Sequence, residues 1–95
     1  MYAVIFKGTF KDAAYANDED YIATAQALRT LAFSEYGCID FVACTEGKQE
    51  LAVSYWPSLE HIKAWHQDPA HQRAQALGKA KWYETYRVTV SQTLS

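Results

Sequence analysis

Aromatic side chains are the feature that most constrains how this chain can fold. Its 95 residues include three Trp, seven Tyr and four Phe, whereas Ile, Leu and Val together number only 15, and Ala another 15. Rings therefore carry most of the large apolar surface. The length allows one domain, residues 1–95, with a small core. Fourteen rings are too many for such a core, so we expect two places of burial.

Charge and hydropathy exclude several classes of protein. No apolar run approaches the ~20 residues that a membrane-spanning helix needs, so no membrane partner is expected. The formal net charge is −2 and no basic stripe is present, so we expect no nucleic-acid binding. The chain opens without a basic segment followed by an apolar one, which favours a cytoplasmic protein. Cys38 and Cys44 form no CxxC motif and are expected to be free thiols.

The hydrophobic periodicity predicts the order β-α-β-β-α-β. Alternating residues predict strands over residues 2–10, 38–45, 50–56 and 81–91. Helical spacing predicts a long helix that begins after Asn17 or Asp18 and ends before Gly37. A second, interrupted helix is predicted from Ser58 to Gly78, with a break at Asp68-Pro69.

This order predicts an α+β, ferredoxin-like subunit with a four-stranded antiparallel sheet. Because both crossovers are right-handed, both helices pack on the same face of the sheet. The other face then has no cover within the chain, and a large exposed apolar face is typical of a binding surface. A homodimer that pairs the open sheet faces about a two-fold axis is the simplest closure.

All three histidines lie within residues 61–71. His61 and Trp65 are four residues apart, so they share one face of a helix. His71 comes just after the Asp-Pro break. The histidines lack metal-ligand spacing, neither cysteine has a local histidine partner, and no G-x-S-x-G or glycine-rich nucleotide motif is present. What remains is a histidine able to act as a general base beside aromatic walls.

Three segments resemble the antibiotic biosynthesis monooxygenase (ABM) family: VSYWPSLEHIKAW at 53–65, DPAH at 68–71 and KWYETYRV at 81–88. The resemblance implies ferredoxin-like subunits paired as a dimeric α+β barrel. It also implies a small aromatic ligand in a pocket between the sheet and the helices of each subunit.

The resemblance further implies a reaction without metal, flavin or other cofactor. Some members oxygenate phenol-, quinol- or anthrone-like compounds with O2, after a base has removed a proton from the substrate. The matching catalytic candidates are Trp65, His61 and His71. We expect Trp65, Tyr21, Phe33 and Trp82 to bind the substrate.

Two other functions stay open at this point. Some members bind and open haem, with an Asn on the first strand and a His ten residues after the helix Trp. Gln75 stands at that second position and the first strand has no Asn, so haem binding is disfavoured. Members without an established reaction leave a non-catalytic, ligand-binding or stress-related dimer as the main alternative to a monooxygenase.

Overall fold

One four-stranded sheet carries all the helices on a single face. The computed structural model describes residues 1–94. In chain order its elements are β1 (Tyr2–Phe10), a 3-10 helix (Ala13–Asn17), α1 (Glu19–Tyr36), β2 (Asp40–Glu46), β3 (Gln49–Trp56), α2 (Leu59–His66), α3 (Pro69–Leu77), a π-helical turn (Gly78–Trp82) and β4 (Tyr83–Gln92). The strand order is β2-β3-β1-β4, and all neighbours are antiparallel. The predicted ferredoxin-like α+β fold is therefore confirmed.

Short polar side chains begin the helices where the sequence predicts. The carboxylate of Asp18 accepts a hydrogen bond from the Tyr21 amide at 3.0 Å, and Ser58 caps α2. Asp68 caps α3, with Pro69 at its first position. Gly37 ends α1 with a φ of 75°, a left-handed conformation that glycine adopts without steric cost.

α3 ends at Leu77 with Gly78 as its C-cap, as the sequence predicts. Gly78 nevertheless keeps right-handed helical angles, φ −56° and ψ −49°, and the chain continues into the π-helical turn instead of passing directly into a strand. Trp82 therefore lies in this turn and is buried there, and β4 begins at Tyr83 rather than at residue 81. Because of this turn, β4 begins later in the chain than predicted, and the indole of Trp82 lies next to the helices.

A bulge in β4 changes which side chains face the helices. Thr9 pairs with Thr85 and Phe10 pairs with Tyr83, so Glu84 is an extra residue without a partner on β1. An extra residue shifts the alternation of the strand by one. Tyr83 and Tyr86 consequently pack in one cluster, whereas strict alternation predicts opposite faces for them.

The rings are divided very unevenly between the two faces of the sheet, contrary to expectation. All except Phe33 and Tyr55 belong to two clusters between the sheet and the helices. Tyr55 alternates with the buried Trp56 and lies on the outer face. That face carries an aliphatic patch: Val42 and Leu51 are exposed, and Val53, the register partner of Val42, is half-buried.

Substitution of Gly8 by alanine is expected to destabilise the fold. A Cβ at Gly8 would lie 2.8 Å and 2.9 Å from ring atoms of Tyr83, and 3.0 Å from Phe6. Because both rings are packed, they cannot move aside without strain, and overpacking of this kind costs about 1–3 kcal/mol. Denaturant unfolding of Gly8→Ala measures the loss.

The matched control repeats this substitution in a Tyr83→Leu background. Leu removes the ring that the new methyl meets, so Gly8→Ala should cost less there than in the natural chain. An equal loss in both backgrounds would show that the Tyr83 ring is not the cause.

Candidate functional site

A cavity of about 370 Å³ lies between the sheet, α1 and α3. Its volume is within the range of small-molecule sites. Ala43 of β2 and Ala52 of β3 are register partners in its floor, and Ala25 and Ala74 line it from the two helices. Their short side chains leave the space open between walls of larger residues.

One end of the cavity is built from stacked rings. Trp65 is buried, and its indole lies 4.9 Å from the Trp56 ring and 6.2 Å from the Phe41 ring, between centroids. His71, only 9% exposed, stacks on the Trp65 ring with a centroid separation of 4.2 Å and an interplanar angle of 19°. The interruption of the helix between α2 and α3 changes the direction of the chain, so that His71 lies against the Trp65 ring.

The backbone fixes the tautomer of His71. Its Nδ1 lies 3.2 Å from the carbonyl oxygen of Trp65. A carbonyl oxygen only accepts hydrogen bonds, so we assign the proton of the neutral ring to Nδ1. Nε2 then carries a lone pair, which is the atom that a general base needs.

His66 is a cavity residue that sequence reasoning missed. Its ring lies 5.6 Å from Trp65 and 5.2 Å from His71. Burial lowers the pKa of His66. Burial also lowers the pKa of His71, and the neighbouring His66 lowers it further, so His71 is mainly neutral near pH 7. The sequence feature that could have predicted this is the position of His66 at the end of α2, directly after Trp65.

The carboxylate of Asp68, which lies between α2 and α3, connects helices at this end of the cavity. Asp68 accepts a hydrogen bond from the Tyr36 hydroxyl at 2.6 Å and another from the Ala70 amide at 2.8 Å. The bond from Tyr36 is the main reason that the pKa of Asp68 is lowered. It therefore ties the start of α3, and with it His71, to the end of α1.

The other end of the cavity carries hydroxyl groups and one buried acid. The Tyr83 hydroxyl donates to the Tyr21 hydroxyl at 2.7 Å, and Thr45 donates to the Glu50 carboxylate at 2.6 Å. Burial is the main reason that the pKa of Tyr21 is raised to about 12; the bond from Tyr83 opposes the rise and Glu50 adds to it. Burial likewise raises the pKa of Tyr83. Both phenols therefore stay protonated at neutral pH.

Glu50 is the second cavity residue that sequence reasoning missed. It is 6% exposed and lines the cavity. The available signal was its place in the strand: Glu50 alternates in phase with Ser54 and Trp56, whose side chains face the helices. An acid at an inward position of a strand is uncommon and indicates a functional or strongly bonded group.

The structure brings four of the six predicted site residues to the cavity. Trp65, His71, Tyr21 and Trp82 line it. His61 does not: its exposed ring bonds through Nδ1 to the Ser58 hydroxyl at 2.6 Å and lies against Gly37. The structure therefore does not bring His61 to the cavity, because the start of α2 binds this ring.

Phe33 is also outside the cavity. It follows the buried Ala32 on α1, is rotated about 100° around the helix from it, and is 44% exposed. The structure therefore does not bring Phe33 to the cavity.

The described part of the chain contains neither a metal cluster nor a membrane helix. In residues 1–94 no group of three or more His, Cys, Asp or Glu side chains could hold a metal ion. No helix in that range is long and apolar enough to span a bilayer. Cys38 and Cys44 are both free, the first buried and the second exposed.

Comparison with known proteins places the chain in a family. It is 34% identical over 91 residues to uncharacterized protein YqjZ of Bacillus subtilis (strain 168), covering 95% of this chain and 76% of the relative. Its fold matches Rv0793 from Mycobacterium tuberculosis with a TM-score of 0.81 at 18% identity, covering 99% of this chain and 95% of the other.

The fold also matches SnoaB, a cofactor-independent oxygenase from Streptomyces nogalater. The TM-score is 0.79 at 8% identity, and the match covers 99% of this chain and 93% of SnoaB. Identities this low establish the common fold alone. A family model matches residues 1–77, so the chain belongs to the antibiotic biosynthesis monooxygenase family.

Proposed function

We propose that the protein is a monooxygenase that acts with O2 on a hydroxylated aromatic compound bound in the cavity. The observation that carries this proposal is the buried imidazole of His71, which stacks on Trp65 at the cavity wall. Membership of the family supports a monooxygenase type of reaction. The aromatic walls suit a planar ligand, which would be of the phenol, quinol or anthrone type.

His71 acts as the general base in this proposal. Its Nδ1 is held by the Trp65 carbonyl, so its Nε2 is free to take a proton from the substrate. Burial lowers the pKa of His71, which keeps the ring neutral, with no proton on Nε2, at neutral pH. Trp65 has a positioning role through its carbonyl and provides a face for the ligand.

The proposed reaction balances without an added reductant. Loss of a proton makes the substrate an electron-rich anion, which reduces O2 and forms a carbon–oxygen bond. For a CH2 group beside the ring, breaking the remaining C–H bond and the O–O bond gives a ketone and one water. One oxygen atom enters the product, the other leaves as water, and the substrate supplies all the electrons.

Replacement of the base is expected to abolish turnover while the ligand still binds. His71→Asn keeps a side-chain N–H that can reach the Trp65 carbonyl but removes the lone pair of Nε2. General-base catalysis contributes roughly 10²–10⁴-fold, so kcat should fall by about that factor. An oxygen electrode measures uptake with a panel of phenols, quinols and anthrones, and calorimetry measures their binding.

His61→Asn is the matched control, since His61 lies outside the cavity and should leave uptake unchanged. Compounds that bind without any oxygen uptake would support the non-catalytic, ligand-binding alternative and overturn the oxygenase. Equal losses in both variants would exclude His71 as the specific base.

The same proposal includes a homodimer paired through the outer face of the sheet. Lys7 and Arg87 are direct cross-strand neighbours on that face, and like charges in this position repel. Asp40 lies on the same face at the β2 side, in register with Tyr55. A two-fold axis would set the acid of one copy near the bases of the other and cover Val42 and Leu51.

Light scattering should give twice the subunit mass of 10.8 kDa. Leu51→Glu places a charge in the paired face and should shift the protein to the monomer. Leu59→Glu is the control, because Leu59 is 46% exposed, close to the 40% of Leu51, but lies on α2. If the natural chain is a monomer in this measurement, the proposed homodimer is wrong.

Acidification is expected to weaken the fold through the buried imidazoles. The pKa values of His66 and His71 are lowered below the ordinary ~6.5. Between the folded and unfolded pKa values the unfolded chain binds more protons, so stability falls as the pH decreases through that window. The slope is at most about 1.4 kcal/mol per pH unit for each histidine.

Denaturant unfolding from about pH 7 to about pH 5 measures this slope. His71→Asn should make it shallower. The same slope in the natural chain and in His71→Asn would show that His71 titrates no differently in the folded and unfolded states.

A further inference from the structure

The cavity has a second polar end, well separated from the imidazoles. Phe41 lies against Trp65, whereas Thr45, four residues along β2, bonds to Glu50. Four residues of strand span roughly 13 Å. Ala43 and its register partner Ala52 lie between these two points. The cavity floor therefore runs over short side chains from the ring stack to a carboxylate.

The Glu50 carboxylate is buried among hydroxyl groups rather than cations. The Thr45 hydroxyl donates to it at 2.6 Å. Tyr21, which accepts a bond from Tyr83, lies near enough for Glu50 to raise its pKa. The single ion pair found in residues 1–94 joins Lys81 and Asp20. Glu50 is thus a buried acid with no cationic partner within that range.

One hydroxyl donor leaves acceptor capacity unused. A carboxylate has about four acceptor positions, and Thr45 fills one of them. A buried charge is costly unless hydrogen bonds or an opposite charge compensate it. Since Glu50 lines the cavity, a ligand is the natural source of a further donor.

An indole at the same end offers a complementary donor. The Trp82 ring lies 5.3 Å from the Tyr21 ring, and its Nε1 is buried with no hydrogen-bond partner among the described residues. Buried polar groups without a partner are uncommon in proteins. A group that donates to a carboxylate and accepts from an N–H meets both needs. A hydroxyl does this, whereas an ammonium only donates.

We propose that Glu50 is the specificity-determining residue of the cavity and binds a ring hydroxyl of the ligand, at the end opposite His71. Trp82 donates to the oxygen of the same hydroxyl. The proposal rests on the proposed function only in taking the ligand to be an aromatic compound held in this cavity; it requires no turnover. It predicts that the protein distinguishes a phenol from its methyl ether.

Calorimetric titration with 2-naphthol and with 2-methoxynaphthalene tests this directly. The natural chain should bind 2-naphthol at least about tenfold more tightly, because the ether has no proton for Glu50. Glu50→Gln keeps the shape but loses the charge-assisted bond, so its affinity for 2-naphthol should fall about five- to tenfold. Its affinity for the ether should stay within about twofold.

Glu46→Gln is the matched control, since it makes the same change in charge at an exposed position on the neighbouring strand. Circular dichroism shows whether each variant is folded. Equal affinities for the two probes, an unchanged preference in Glu50→Gln, or no binding of 2-naphthol by the natural chain would each overturn the proposal. Selective binding without oxygen uptake would uphold Glu50 and overturn the oxygenase.

Discussion

The carboxylate of Asp68 is the constraint on which the arrangement of the site depends. One oxygen accepts bonds from the Ala70 and His71 amides and so begins α3, while the other accepts the Tyr36 hydroxyl at the end of α1. A single side chain thereby sets where α3 starts and anchors that start to α1. His71 is three residues into α3, so its stacking on Trp65 follows from where this helix begins. The lowered pKa of Asp68 keeps the anchor ionised except in strong acid.

Many of the aromatic and alanine residues that make the composition unusual line the cavity. Rings on the sheet and on α2 form its walls, and alanines at its floor and on the helices keep its centre empty. The π-helical turn brings in Trp82, and the bulge at Glu84 turns Tyr83 toward the helices. Without these two irregularities, one of the rings that close this end would face the other side of the sheet. The outer face, which carries aliphatic and charged side chains, is a separate surface that few of the rings reach.

The features that could be predicted from the sequence are those determined by residues close to one another along the chain. The helix starts at Ser58, at Asp68 and at Asn17 or Asp18 followed from capping side chains, which act over three residues, and the packing of the helices on one face of the sheet followed from chirality rules. The positions of His61 and Glu50 did not follow. Helical spacing places His61 near Trp65 but does not reveal that Ser58 binds its ring, and strand alternation turns Glu50 inward without showing a cavity beside it. Such features depend on segments that are distant in sequence, which periodicity does not relate.

The two cavity ends differ in what they do with protons, and the difference suits the proposed chemistry. A phenol is protonated at neutral pH, and burial raises the pKa values of Tyr21 and Tyr83 further, so the hydroxyl groups at the proposed Glu50 subsite do not titrate there. His71 lacks the second proton because burial lowers its pKa. A buried imidazole is a weak base, which slows the first proton transfer. The same weakness helps the last step, because the imidazolium readily gives its proton to the oxygen atom that leaves as water. In the proposed reaction the base holds its proton only between these two steps, so it needs no exchange of that proton with solvent.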